Sequence, residues 1–121
     1  MTPTAMTYLE DLGSLVAVQE DATVSRTVLT ADGARIVLFA FDAGQVLTEH
    51  TAAMPVLLQV LSGRLRVTGD GDTVDLVPGG VIHLDTRVPH TVVAVEPSRL
   101  ALIMRDSRAS PVHNSGGISV A

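Results

Sequence analysis

The chain has 121 residues, 8 Lys+Arg against 13 Asp+Glu for a net charge of −5, and 46% hydrophobic residues, which suits one domain with a core rather than two. Cysteine and tryptophan are absent and all eight basic residues are arginines. That excludes thiol nucleophiles, disulfides, zinc–thiolate sites, a lysine Schiff base to pyridoxal phosphate, and a nucleotide-binding loop ending Gly-Lys-Ser/Thr.

Tyr8, Phe39 and Phe41 are the whole aromatic complement, too few to stack bases, and the acidic balance opposes tracking a phosphate backbone, so no nucleic-acid partner is expected. Residues 1–8 have neither a basic region nor a long apolar stretch, and no apolar run approaches the roughly 20 residues that span a bilayer. A cytoplasmic location without membrane contact is the default expectation. The mean hydropathy of +0.38 is high for so short a chain, and a homodimer interface is the expected outlet for the surplus apolar surface.

From the N-terminus, Tyr8, Leu9, Leu12, Leu15 and Val16 recur at helical spacing, which admits a short helix within residues 7–18. Eight runs rich in β-branched and apolar residues follow, at 24–29, 35–41, 56–61, 64–68, 73–76, 81–84, 91–95 and 100–105. Turn signals separate them: Ala31-Asp32-Gly33, Asp42-Ala43-Gly44, Ser62-Gly63, Gly69-Asp70-Gly71, Pro78-Gly79-Gly80 and Glu96-Pro97-Ser98. Short strands at this spacing indicate an all-β sandwich or barrel rather than alternating β-α-β units. In 64–67, leucine and valine share one face and arginines the other, the pattern of a half-solvated strand. By contrast, 56–61 is apolar on both faces and reads as a central strand. From Ser107 the composition turns to Ser, Gly, Pro and Asn, so the organisation expected is an N-terminal segment (1–20), a barrel (21–106) and a flexible tail (107–121).

The stretch from Gly44 through His50 to Gly63 resembles the first motif of the cupin superfamily, which runs from a glycine through a His-x-His pair and a glutamate to a closing glycine. The second motif is echoed where Pro78-Gly79 opens a strand and Pro89-His90 ends it. The resemblance covers about residues 24–105. It implies an RmlC-like jelly-roll barrel, a double-stranded β-helix with an internal pocket, in agreement with the strand count. It also implies that His50 and His90 face each other in that pocket. Metal-binding cupins place two histidines and a glutamate of the first motif and a histidine of the second around a divalent ion such as Mn, Fe, Ni or Zn. Here the second histidine position is Ala52 and the glutamate position is Val56, and neither side chain carries a donor atom. Gly80 and Ala94 depart from the second motif as well.

Two functional readings follow from the resemblance. In the first, a pocket formed by His50, Ala52, Met54, Val56, Leu58 and His90, with Val60 deeper on the same face, binds a small organic molecule through apolar walls and imidazole handles. In the second, His50 and His90 hold a divalent metal with help from His83, Gln59 or water, for dioxygenase, isomerase or cyclase chemistry. Alternation in 81–85 sets His83 with Asp85 on the face opposite Ile82 and Leu84, which makes it the weaker third ligand. Glu49 and His113 read as solvated groups, and Met54 with Pro55 as a lip of the pocket or a gap filler. Arg87, just before Val-Pro-His90, reads as a surface arginine paired with Asp85, with steering of an anionic ligand as the alternative.

Overall fold

The computed structural model describes residues 6–50 and 54–105, with the backbone alone for Glu49 and His50. Nine strands are found among them: β1 (Thr23–Ala31), β2 (Ala34–Phe41), β3 (Val46–His50), β4 (Val56–Ser62), β5 (Leu65–Gly69), β6 (Asp72–Leu76), β7 (Val81–Leu84), β8 (His90–Ala94) and β9 (Ser98–Met104). They form two antiparallel sheets, one in the order β1-β2-β9-β4-β7 and the other β3-β8-β5-β6. The result is an all-β jelly-roll barrel.

Period-2 alternation explains which side of each strand meets the interior. In β4, Val56, Leu58 and Val60 are buried while Leu57 and Gln59 are exposed. In β5, Leu65 and Val67 are buried and Arg66 is exposed. The inward residues of both sheets, with Phe41, Leu84, Val92 and Leu100, make one apolar core. Strands β2 and β9 are covered on both faces: the outward Leu38, Ala40 and Ala101 pack against a second cluster containing Val16, Leu12 and Leu15. The N-terminal segment is therefore cladding for the larger sheet.

Two expectations need correction. The helical spacing over 7–18 resolves into a single 3-10 turn, Leu12–Leu15, because Gly13 and Ser14 are weak helix formers at its centre and Tyr8 is left 77% exposed. The strand count rises from eight to nine through β3. Its register against β8 is irregular between Leu47 and His50, which breaks the alternation that identifies a strand from sequence. The expected tail lies outside the described residues.

The Asp70-Gly71 turn closes the β5–β6 hairpin. Gly69 pairs with Asp72 across it, and both Asp70 (φ 50°) and Gly71 (φ 83°) are left-handed, the geometry of a two-residue type I′ turn.

Candidate functional site

The strand registers assign each candidate to one of the barrel's two ends. The end considered first, the mouth, carries the start of β4, the ends of β3, β5 and β7, and the start of β8. His50 and His90 are direct cross-strand partners, and His90 is also paired with Gly69 of β5. His90 is only 3% exposed. Its Nδ1 lies 2.9 Å from the Val88 carbonyl oxygen; a carbonyl only accepts, so Nδ1 carries the proton and donates it. In the neutral ring this assigns the acceptor lone pair to Nε2.

Local sequence explains this contact. The Val88 amide closes a turn onto the Asp85 carbonyl at 3.3 Å, Arg87 takes the left-handed conformation (φ 61°), and proline favours extended backbone at Val88. The chain thus turns sharply and delivers the Val88 carbonyl beside the imidazole two residues on.

Val56 opens β4 at the mouth, 2% exposed, and pairs with Leu84 on one side and Met104 on the other. Leu58, 1% exposed, is the next inward residue. Met54 and Pro55 are half-buried just before the strand. Ala52 and His113 lie outside the described residues, as do the side chains of Glu49 and His50. His83 is exposed and sits opposite Leu57 on β4, away from the face that buries His90; Gln59 is likewise exposed. The expected Asp85–Arg87 pair does not form. Ion pairs among the described residues join Arg64 and Arg66 to Asp75 instead, and the left-handed turn leaves Arg87 exposed.

Between the β5–β6 hairpin and β7 the mouth opens into a cleft of about 250 Å³. Val67, Ile82, Leu84 and Val88 supply apolar lining, and Gly69 and Asp85 also line it. A methyl on Gly69 would sit 3.3 Å from Leu84 Cδ2 and 3.6 Å from His90 Cβ, so this glycine lets β5 approach the β7–β8 corner closely. Gly69, Leu84 and the Val88 carbonyl were not singled out from sequence. The Asp70-Gly71 turn is the signal that could have drawn attention to the first.

The donor set at the mouth falls short of the metal centre that the fold class suggests. No group of three or more His, Asp or Glu among the described residues is placed to hold a cation. Val56 offers only an isopropyl group, and His90 with its register partner supplies two imidazoles at most, short of the three protein ligands of a typical transition-metal centre. The described residues therefore do not fit a complete metal site.

A two-sheet antiparallel jelly roll with a buried histidine at its mouth defines the class as a small β-barrel of the RmlC-like type. A family model described as the cupin domain matches residues 37–104, more than half of the chain, and the chain belongs to the cupin family.

Solved structures agree on the fold. A conserved protein of unknown function from Streptococcus pyogenes is 26% identical, with 85% of this chain and 97% of that one covered and a TM-score of 0.72. A cupin superfamily protein from Desulfitobacterium hafniense is 24% identical over 85% of this chain and 93% of its own, with a TM-score of 0.73. KdgF from a Halomonas species is 24% identical over 74% and 84%, with a TM-score of 0.65. No curated protein matches the sequence.

Proposed function

We propose that this cupin binds a small, largely apolar organic molecule at the barrel mouth without a resident metal. The observation that carries the reading is Val56: the position at which metal-binding cupins carry glutamate holds an isopropyl group, 2% exposed, with Leu58 beside it on the same inward face. Apolar walls with a few fixed polar groups are the usual make-up of a small-molecule site. The polar handle is His90, whose Nδ1–H to the Val88 carbonyl fixes the ring's orientation and tautomer. His50, its cross-strand partner, is the second handle.

Elemental analysis of protein purified without chelators tests the proposal. The expected result is well below one transition-metal ion per chain. The folded Ala52→His/Val56→Glu double variant is expected to gain a divalent site tighter than about micromolar, since it restores four protein ligands. One tightly held metal per wild-type chain, lost in both His50→Ala and His90→Ala, overturns the proposal. That outcome favours the second reading, a metal-dependent dioxygenase, isomerase or cyclase, which the direct pairing of His50 with His90 supports.

A further inference from the structure

We infer that the outer face of the larger sheet, over β4, β7 and the end of β9, is the interface with a second copy of this chain, and that the N-terminal segment takes part in it. None of that sheet's five strands contains an aspartate or glutamate, although the chain has 13. The smaller sheet differs. Its outer face carries Arg66 paired with Asp75, and Thr68 hydrogen-bonded to Thr73 at 3.0 Å, the polar surface expected where an antiparallel sheet faces water.

The larger sheet has only part of its apolar outer face covered. Register sets Leu38 and Ala101 in one row with Gln59 and Val81. The first two are fully buried under Leu12, Leu15 and Val16, whereas Val81 is 60% exposed. In the next row Ile36 and Ile103 are partly buried, Leu57 is 38% exposed and His83 is exposed. The N-terminal cladding touches β4 through the Leu12–Leu15 turn and leaves the outer side of β7 and the start of β4 bare. A groove of about 310 Å³ opens there, lined by Pro55, Leu57, Ile103 and Met104 with His83 and Arg105.

Charge selects a second copy as the occupant. A two-fold interface lays a patch against itself, so a charge within it meets like charge. With a net charge of −5, two copies repel one another through most of their surfaces. This sheet brings no carboxylate into the contact. The bare strip, three strands wide and about 20 Å long, covers roughly 300 Å², against about 800 Å² per partner in a stable interface. The contact must therefore extend onto the N-terminal segment. There Met6 and Tyr8 are 82% and 77% exposed, just ahead of the turn that rests on β4.

Sedimentation velocity on the full chain at about 1–200 μM tests the assignment, with a wild-type dimer of Kd about 10 μM or tighter as the expected result. Val81→Glu and Leu57→Glu each set a carboxylate into the contact and should raise Kd about a hundredfold or more. Tyr8→Ala should raise it about tenfold. The control is Val46→Glu, on the outer face of the smaller sheet and 45% exposed, which should change Kd by less than about twofold. Circular dichroism checks the fold of each variant; Val81 lies on an edge strand, so its variant decides if Leu57→Glu does not fold. A wild-type chain that stays monomeric up to about 200 μM overturns the inference. So does a dimer that survives Val81→Glu, or one that Val46→Glu weakens as strongly. An unchanged Kd in Tyr8→Ala overturns the part assigned to the N-terminal segment.

Discussion

The two ends of the barrel treat their polar groups in opposite ways. At the closed end, Gly63, Arg64 and Ser98 form a tight clip. The Ser98 hydroxyl, with the residue 0% exposed, accepts from the Arg64 amide at 2.9 Å and has carbonyl acceptors at Glu96 (2.7 Å) and Arg64 (3.1 Å). A hydroxyl has one proton, so it donates to one carbonyl at a time, and Arg64's carbonyl also receives the Val95 amide at 3.0 Å. Nearby, the Gly44 amide donates to the Ala94 carbonyl at 2.8 Å and the Ala94 amide to the Gln45 carbonyl at 2.9 Å, extending the β3–β8 pairing. At the mouth, by contrast, Asp70, Asp72 and Asp85 are exposed and make no ion pair among the described residues. One end ties its polar groups into hydrogen bonds between strands, and the other leaves its carboxylates exposed to solvent.

Two glycines give the sharpest way to break this contrast. Gly63 has φ 88°, and a Cβ there would collide with Ser98 Oγ and the Pro97 carbonyl, so backbone as well as side chain stands in the way. Gly63→Ala is expected to cost about 3–5 kcal/mol in urea unfolding, or to prevent folding. Gly69→Ala at the mouth meets only the end of the Leu84 side chain at 3.3 Å, which can rotate aside, and should cost about 1 kcal/mol or less. Equal losses would show that the ends are equally rigid.

Ser98→Ala comes next in size. It deprives the partly buried Arg64 amide of its acceptor while leaving the Arg64 carbonyl bonded to Val95. The expected loss is about 1–3 kcal/mol by the same unfolding measurement. A loss indistinguishable from zero would mean that water replaces the hydroxyl and that the clip is not what closes this end.

Much of the barrel could be read from sequence, because alternation in β4 and β5 and the Asp70-Gly71 turn are local signals. Counting outward from that turn even gives Arg66 opposite Asp75, the observed pair; reading the arginines simply as a solvated face passed over it. Strand β3 was harder, since a register irregularity erases period 2 where the chain approaches His50. At the site, Pro89-His90 drew attention to the histidine that the structure buries at the mouth. The cleft was hidden for a different reason: Asp70 and Asp85 belong to corners of different sheets, and their proximity depends on how the sheets close, which no local pattern encodes. The Asp85–Arg87 expectation failed similarly, because closeness in sequence says nothing about a turn that separates two side chains.

Asp75 lies between the ends, on the outer face of the smaller sheet, and gives the smallest effect. Arg66 and then Arg64, both hydrogen-bonded to it, lower its carboxyl pKa below the ordinary 3.8. A lowered folded-state pKa means that the charged form is favoured by folding, so its contribution is complete above 3.8 and is lost as pH falls through the lower folded value. These side chains are substantially exposed, at 47%, 51% and 32% for Arg64, Arg66 and Asp75, so solvent and salt screen the attraction. Asp75→Asn should therefore lower Tm slightly at pH 6, and less in high salt. Asp42, whose pKa is lowered by the Asp21 and Ala43 amides, adds acid sensitivity to both proteins, so the measurement is the difference between their Tm values across pH 2–6. That difference should shrink towards zero as pH falls from 3.8 through the lower folded value. A gap that stays the same size across that whole range would mean that Asp75 acts by packing, and that the outer face contributes to the barrel as the closed end does.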